Sequence, residues 1–246
     1  DSLELVQSQI DKGNLPVSIE FVFQNREYGE GEGSDQFQEL VHSYGIPLVA
    51  LSSQRFRRKE GATSFSEVRL EFDRMVMRML EGYQPNLCIL AGYMLILGPE
   101  LSRKFTGINL LPALRDGPTG TWQEVIWHLI QQEEKETGSM IHLVNDNLDR
   151  GPLVTYHSFP LFTPLLSPLW KQIKGRNPDN LRTEEGENLP LFQHIREEGL
   201  KREPHLLVET IRAIAEGKVR VTKQHVVDRH GNKIPGYCLS MSLIHN

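Results

Sequence analysis

The stretch that decides the fold runs from residue 86 to residue 111 and reads NLCILAGYMLILGPELSRKFTGINLL. Its first part, Asn86–Ala91, is the most apolar strand candidate in the chain and predicts a buried strand near the middle of a sheet. Glu100–Phe105 predicts a short helix, and Gly107–Leu111 predicts the next strand. A strand, a helix and a second strand in this order indicate a parallel βαβ unit.

The segments on either side continue this alternation. Further predicted strands occupy residues 17–23, 46–51, 139–144 and 153–159, and further predicted helices occupy residues 1–12, 35–44, 65–83 and 122–132. The whole pattern predicts an α/β fold with a mainly parallel, twisted sheet flanked by helices. Ligands of such sheets bind beyond the carboxyl ends of strands, so functional residues are expected in the loops after Ala91, Leu110 and Val144.

The C-terminal part of the chain has a different residue composition. Residues 162–190 are rich in Pro, Asn and charged residues and predict an irregular, exposed insertion. The remaining predicted elements are helices at 191–199 and 203–216 and a hairpin at 218–237 with its turn at 229–232. We therefore expect an α/β domain at residues 1–160, with residues 161–246 forming an insertion, helices and a hairpin packed on the same domain.

The composition restricts the class of protein. A net charge of −5 and a pI near 6.0 argue against nucleic acid as a partner. The longest apolar run, Leu87–Ala91, is far too short to cross a bilayer, and no signal-peptide pattern opens the sequence. Cys88 and Cys238 lie far apart, so we expect no dependence on a disulfide and a reducing, cytoplasmic location. Because the sequence starts at Asp1, we also expect an N-terminal piece before it.

Three segments together carry a resemblance to a known family. They are residues 90–99 (LAGYMLILGP), residues 107–114 (GINLLPAL) and residues 142–152 (HLVNDNLDRGP). Their order and spacing resemble the formyltransferase fold that glycinamide ribonucleotide and methionyl-tRNA formyltransferases share. The resemblance extends over residues 17–219, and the strand followed by Asp-x-x-Asp-x-Gly-Pro is its sharpest signal.

The resemblance implies a reaction and three residue positions for it. In this family an amine attacks the formyl group of 10-formyltetrahydrofolate, and the tetrahedral intermediate needs an oxyanion stabiliser and a route for a proton. Asn109 matches the residue that binds the oxyanion, and Asp149 matches the aspartate that orients the site and moves the proton. The family's catalytic histidine falls at Leu111, which can neither donate a hydrogen bond nor carry charge. Taken singly, Asn109 and Asp149 are also ordinary turn residues.

Leu111 leaves three interpretations open. It is an engineered or inactivating substitution, it marks a natural pseudoenzyme, or another histidine replaces the missing one in space. Nothing in the spacing of His128, His142 and His157 aims them at Asn109. A structural or surface role is therefore favoured for each of these histidines.

The resemblance also implies a folate pocket made partly by backbone groups of the loop after the apolar strand. The implied folate-binding residues are Met94, Leu95, Ile96, Leu97 and Asp146. A pterin is a flat heterocycle that suits an apolar slot with backbone donors. Leu95 stands where members of the purine pathway commonly have an arginine, and four consecutive apolar residues are equally typical of core packing.

The substrate side of the site shows more divergence. Arg202 and Glu203 match a family region near the substrate phosphate, although a solvated, charged helix start is the slightly favoured interpretation. The family's Gly-rich phosphate turn has no clear counterpart, because Gly29–Gly33 alternates glycine with glutamate, which would repel phosphate. These departures indicate a divergent branch whose amine substrate differs.

The leading hypothesis is formyl transfer from 10-formyltetrahydrofolate to an amine, with glycinamide ribonucleotide in purine biosynthesis as the first candidate. Leu111 favours an alternative of another class, a catalytically inactive folate- or nucleotide-binding protein of the same fold. Hydrolysis of formyltetrahydrofolate is the second alternative. All three predict small-molecule ligands without a metal, nucleic acid or a membrane, and they leave a homodimer open.

Overall fold

The computed structural model of the protein describes residues 2–118, 120–145, 151–222 and 224–239. The helices are α1 (Ser2–Asp11), α2 (Glu32–Ser43), α3 (Ser53–Lys59), α4 (Arg69–Met79), α5 (Pro99–Lys104), α6 (Trp122–Gln131), α7 (Ser167–Ile173), α8 (Pro178–Glu184) and α9 (Pro190–Ala215). The strands are β1 (Val22–Gln24), β2 (Leu48–Ala50), β3 (Cys88–Leu90), β4 (Gly107–Leu111), β5 (Glu136–Leu143), β6 (Leu153–Pro160), β7 (Val219–Val221), β8 (Val226–Asp228) and β9 (Tyr237–Cys238).

The predicted α/β fold is confirmed, with a mainly parallel central sheet flanked by helices. β3, β4, β5, β6 and β9 form one sheet in that order, while β1 pairs with β2 and β7 pairs with β8. β1 runs parallel to β2 and β6 runs parallel to β9, whereas β5 and β6 are antiparallel. The antiparallel pair places Ser139 opposite His157 and Gly138 opposite Ser158.

The chain divides into two compact units. The smaller unit contains Val17–Ile108 together with Val144 and Asn145. The larger unit contains residues 2–16, residues 109–143 and the described residues from Gly151 onward. The domain boundary predicted at residue 160 stays a prediction.

The core of the smaller unit forms around one face of α4. Phe72, Val76 and Leu80 recur at helical spacing on this face and are buried. Phe72 is fully buried and meets the rings of Phe56 and Phe65 edge-on, with centroid distances of 5.4 and 5.2 Å. Partly buried side chains from strands and loops cover this cluster, including Phe21, Phe23, Val49, Leu51, Leu95 and Leu97.

The core of the larger unit forms where α6 and α9 cover β5 and β6. Its buried apolar side chains include Val125, Ile126, Leu129, Ile130, Phe192 and Ile195. The hydroxyl groups of Thr155 on β6 and Thr210 on α9 share a buried hydrogen bond of 2.6 Å. Because Thr210 also donates to the carbonyl oxygen of Leu206, at 2.6 Å, these buried hydroxyl groups have partners, as buried polar groups require.

Residues 162–190 are largely exposed, as predicted, but the prediction that they are irregular is wrong. α7 and α8 lie there, and three of their side chains are buried: Trp170, Ile173 and Leu181. Pro168, Pro178 and Pro190 lie in the first turns of α7, α8 and α9. A first-turn N–H has no partner inside a helix, so proline is tolerated there and these prolines begin helices instead of breaking them.

The prediction of two separate helices at 191–199 and 203–216 is also wrong. α9 continues without interruption through Gly199 and Pro204. Buried apolar side chains lie on both sides of this stretch: Leu191, Phe192, Ile195, Leu206, Leu207 and Ile211. Their burial outweighs the cost of one glycine and one proline inside a helix.

The predicted C-terminal hairpin is present, and the chain reverses direction twice: once between β7 and β8, and again at the predicted turn, after which Lys233 pairs antiparallel with Val227. β7 and β8 pair antiparallel with Val221 opposite Val226. The predicted turn at Arg229–Asn232 follows β8, where the Asp228 carboxylate accepts hydrogen bonds from the backbone N–H groups of His230 and Asn232 at 2.8 and 2.9 Å. The turn residues therefore form a turn through this carboxylate, as Asp before a Gly-containing turn commonly does.

Candidate functional site

β4 carries the two described positions of the predicted reaction centre. Asn109 and Leu111 lie two residues apart on this strand, so their side chains point to the same face. Both are half-buried, whereas Ile108, the residue before Asn109, is fully buried. The side chain of Asn109 makes no hydrogen bond with any residue in the described part of the chain. Its amide therefore keeps two donors and an acceptor for a ligand.

Leu111 gives the Asn109 face of β4 an apolar neighbour where a catalytic acid was expected from the resemblance. Leu111 is half-buried, and its side chain cannot donate a proton or a hydrogen bond. Asp146 and Asp149 lie outside the described residues, so their roles stay predictions.

The three histidines considered as replacements occupy different environments in the larger unit. His128 is exposed on α6, and His142 is buried, with Nδ1 2.9 Å from the carbonyl oxygen of Leu143. His157 is buried on β6 and stacks on Phe159, with ring centroids 6.2 Å apart. Burial, with a smaller contribution from the nearby guanidinium of Arg202, lowers the pKa of His157 to about 4. This imidazole is therefore neutral near pH 7.

The four apolar residues of the loop after β3, in the smaller unit, fall into two groups: two pack in the core and two are exposed. Met94 is 88% exposed and Ile96 is 47% exposed. Leu95 and Leu97 are instead half-buried and pack against the cluster around Phe72. Core packing thus explains two of the four residues, and Met94 and Ile96 remain as apolar surface available to a ligand.

Arg202 and Glu203 lie inside α9, not at a solvated helix start as the sequence slightly favoured. The Arg202 guanidinium forms an ion pair with Glu198, donates to the Glu198 carbonyl oxygen at 2.9 Å and lies 4.6 Å above the ring centroid of Phe159. Arg202 is therefore held by groups of its own unit.

A small pocket of about 20 Å³ in the larger unit contains Glu203. The Glu203 side chain is only 17% exposed and lies 3.4 Å from the Arg196 guanidinium. That guanidinium lies 4.4 Å above the Trp122 ring. Burial raises the pKa of Glu203, and the charge of Arg196 opposes this shift. Other residues that line the pocket are Pro112, Thr137, Ser139, Phe159, Ile195 and Gly199.

The sequence prediction included Glu203 but not Arg196 or Trp122, the residues around it in the structure. Arg196 precedes Glu203 by seven residues, which is two helical turns and hence the same face of α9. That spacing is visible in the sequence only if the helix is assumed to continue through Gly199. The two predicted helices hid this relationship.

The described residues contain neither a metal-binding group nor a membrane-spanning helix. In the part of the chain that the structure describes, three or more His, Cys, Asp or Glu side chains do not come together in a group suited to a metal ion. The described helices include none that is both long and apolar enough to cross a membrane.

The sequence is similar to phosphoribosylglycinamide formyltransferases and to formyltetrahydrofolate deformylases. It is 28% identical to phosphoribosylglycinamide formyltransferase of Haemophilus influenzae over 65% of this chain and 68% of that protein. It is 30% identical to formyltetrahydrofolate deformylase of Escherichia coli over 58% of this chain. The match spans only 44% of the deformylase.

The fold is similar to solved structures of both kinds. The phosphoribosylglycinamide formyltransferase of Coxiella burnetii superimposes with a TM-score of 0.66 at 21% identity, over 97% of this chain and 93% of that one. A formyltetrahydrofolate deformylase of Pseudomonas syringae pv. tomato gives a TM-score of 0.62 at 19% identity, over 92% of this chain and 61% of that one. Residues 2–165 match the Formyl transferase family, and the chain therefore belongs to that family.

Proposed function

We propose that this protein binds 10-formyltetrahydrofolate and transfers the formyl group to an amine, with glycinamide ribonucleotide as the first acceptor to test. The observation that carries the proposal is the half-buried amide of Asn109, which has no hydrogen bond within the described residues. A half-buried amide that lacks an intramolecular partner is well suited to bind an oxygen on a ligand. Membership of the Formyl transferase family supports a formyl oxygen as that ligand.

The chemistry assigned to Asn109 is stabilisation of an oxyanion. The acceptor nitrogen forms a bond to the formyl carbon, and the carbonyl electrons move onto oxygen to give a tetrahedral intermediate. The Asn109 N–H groups donate to this oxygen as its negative charge develops. The bond from the formyl carbon to N10 of the folate then breaks, and the proton released by the acceptor nitrogen ends on N10. We assign the movement of that proton to Asp149.

The ligand-binding roles follow from exposure and charge. Met94 and Ile96 supply apolar surface for the flat pterin, and Leu95 and Leu97 hold their loop in the core. We assign the acceptor to Glu203, whose carboxylate can bind an amine or hydroxyl group. The neighbouring Arg202 is already paired with Glu198, so we assign it to holding this part of α9 beside the acceptor. Asp146 completes the residues assigned to folate.

Hydrolysis is the second candidate, and the similarity to formyltetrahydrofolate deformylases favours it. In that reaction water replaces the amine, and the same oxyanion forms. Binding without turnover is the third outcome. It follows if Leu111 removes a general acid, because the loss of such an acid lowers the rate of either reaction by about a hundred- to ten-thousand-fold.

The test combines binding and turnover on the same preparation. Calorimetry measures the affinity for 10-formyltetrahydrofolate, and absorbance follows its conversion to tetrahydrofolate with no amine, with glycinamide ribonucleotide and with a panel of other amines. Amine-dependent conversion supports transfer, amine-independent conversion indicates hydrolysis, and binding without conversion indicates an inactive binder. Absence of binding would overturn the proposal.

Asn109→Ala tests the assigned residue. It should lower turnover about a hundred- to thousand-fold with little change in the affinity for the folate, because the oxyanion exists only after attack. Asn188→Ala is the matched control, since Asn188 is exposed and distant in sequence from β4. Equal turnover in the two variants would remove Asn109 from the mechanism.

A further inference from the structure

A buried carboxylate lies on the apolar face of α4. Asp73 is 2% exposed, although its buried neighbours on this helix, Phe72 and Val76, are apolar. Aspartate is almost never buried this deeply unless a partner compensates its lost hydration. Asp73 Oδ2 accepts a hydrogen bond of 2.5 Å from the backbone N–H of Gly98. This contact supplies the compensation.

Gly98 is the residue that makes the contact sterically feasible. A Cβ at this position would lie 2.5 Å from Asp73 Oδ2 and 3.0 Å from Leu70 Cδ2. Gly98 also precedes Pro99, the first residue of α5. Asp73 therefore holds the point at which the loop after β3 ends and α5 begins.

The position of Gly98 determines which loop side chains face outward. Going back from Gly98, Leu97 and Leu95 pack into the core of the smaller unit, whereas Ile96 and Met94 are exposed. The loop starts at Gly92, whose φ of 69° lies in the left-handed region that glycine adopts readily. A loop that is anchored at its end and packed through alternate residues presents one fixed set of side chains.

The groups around Asp73 leave Gly98 as its principal partner. Arg69 precedes Asp73 by one turn on α4, but its buried Nε has no hydrogen-bond partner in the described part of the chain. Glu100 on α5 forms an ion pair with Arg74, at 2.6 Å. Burial raises the pKa of Asp73 and Glu100 adds to the shift, whereas the Gly98 N–H and Arg69 oppose it. Among the described residues, Asp73 takes part in no ion pair of its own.

We propose that Asp73 is a positioning residue for folate binding: by holding Gly98, it keeps Met94 and Ile96 outward as the apolar surface for the pterin ring. This inference rests on the proposed function. Asp73 does not touch the ligand in this arrangement and acts through the backbone of the loop. The charge of Asp73 also acts on Tyr93. Burial raises the pKa of the Tyr93 hydroxyl and the Asp73 carboxylate raises it further, so this hydroxyl stays protonated.

The test measures the affinity for 10-formyltetrahydrofolate by calorimetry and the melting temperature in parallel. Asp73→Leu removes the acceptor but keeps a side chain that branches at Cγ, and it should weaken binding about tenfold. Asp73→Asn keeps an oxygen that can accept the same N–H and should restore binding to within about threefold of the original protein. Val41→Ala is the structural control, because Val41 is fully buried on α2 of the same unit, outside the cluster against which Leu95 and Leu97 pack. It should lower the melting temperature and leave the affinity unchanged.

Gly98→Ala changes the loop side of the Asp73–Gly98 hydrogen bond. It tests the positioning role even if Asp73→Leu does not fold. Its Cβ should displace the carboxylate and weaken binding by a similar factor. Gly82→Ala, where a Cβ would meet nothing within 4 Å, is its matched control. Unchanged affinity in folded Asp73→Leu or Gly98→Ala, or equal losses in Val41→Ala, would overturn the positioning role alone. No binding by the unmodified protein would overturn the proposed function as well.

Discussion

The guanidinium of Arg196 lies 3.4 Å from the carboxylate of Glu203, two turns further along the same helix. Arg196 is itself held 4.4 Å above the Trp122 ring. This geometry keeps an acidic side chain, only 17% exposed, at a small pocket in the larger unit.

Glu203→Gln should weaken binding of the amine acceptor about tenfold and leave the affinity for the folate unchanged. The reason is that an amide keeps the shape of the carboxylate but loses the charge that attracts a cationic or hydrogen-bond-donating acceptor. Calorimetry with glycinamide ribonucleotide and with 10-formyltetrahydrofolate measures the two affinities separately. Glu209→Gln is the matched control, because Glu209 also pairs with an arginine on α9, Arg212. A similar effect of both substitutions would argue against an acceptor site at Glu203.

Leu111→His should raise formyl transfer about a hundred- to thousand-fold, or bring it into the measurable range. The imidazole would lie on the Asn109 face of β4, and Leu111 is half-buried, so the new polar group keeps some access to water. Conversion of 10-formyltetrahydrofolate with the amine panel measures the gain. Leu165→His, at a position 70% exposed, is the control. A folded Leu111→His variant that binds folate without any gain would mean that more than the histidine is missing.

The free energy of unfolding should decrease as the pH falls from 6.5 towards 4, because His157 is buried as a neutral imidazole. Its pKa in the folded protein is about 4, below its ordinary value of 6.5, so the unfolded chain binds the proton first on acidification. The stability contributed by the neutral imidazole is fully present above pH 6.5 and is lost by pH 4, a change of about 3 kcal/mol. Urea unfolding across this range should show the slope in the original protein and a shallower one in His157→Phe.

His128→Gln is the control for this titration, because His128 is exposed on α6. It should keep the steep loss of stability below pH 6.5. The same slope in His157→Phe as in the original protein would assign the acid sensitivity to other groups.

Gly138→Ala should destabilise the protein by about 3 kcal/mol. A Cβ at Gly138 would lie 2.0 Å from the carbonyl oxygen of His157 and 2.8 Å from Leu114 Cδ2, so β5 and β6 would have to separate. Chemical denaturation measures the loss. Gly33→Ala on α2, where a Cβ meets nothing within 4 Å, should be neutral or stabilising. Equal stability of the two variants would show that the strand pair adapts easily.

The alternation of apolar strands and amphipathic helices was enough to predict the α/β fold, because periodicity depends only on local geometry and burial. It was also enough to predict that Asn109 and Leu111 share a face, since residues two apart on any strand do so. The family resemblance, carried by short segments, is confirmed, because residues 2–165 match the Formyl transferase family. That Leu111 stands where the resemblance implies a histidine was likewise visible in the sequence alone.

Contacts between distant residues were decided only by the tertiary structure. The prolines at 168, 178 and 190 begin helices because buried side chains such as Trp170 and Leu181 anchor those helices, a gain invisible to local propensity. α9 runs through Pro204 for the same reason, and only its continuity places Arg196 and Glu203 on one face. The Asp73–Gly98 hydrogen bond joins residues 25 positions apart, and nothing in the pattern of α4 predicts that a buried aspartate finds a backbone N–H there. Packing determined these relationships, because the free energy of burial comes from contacts between residues that are distant in the sequence.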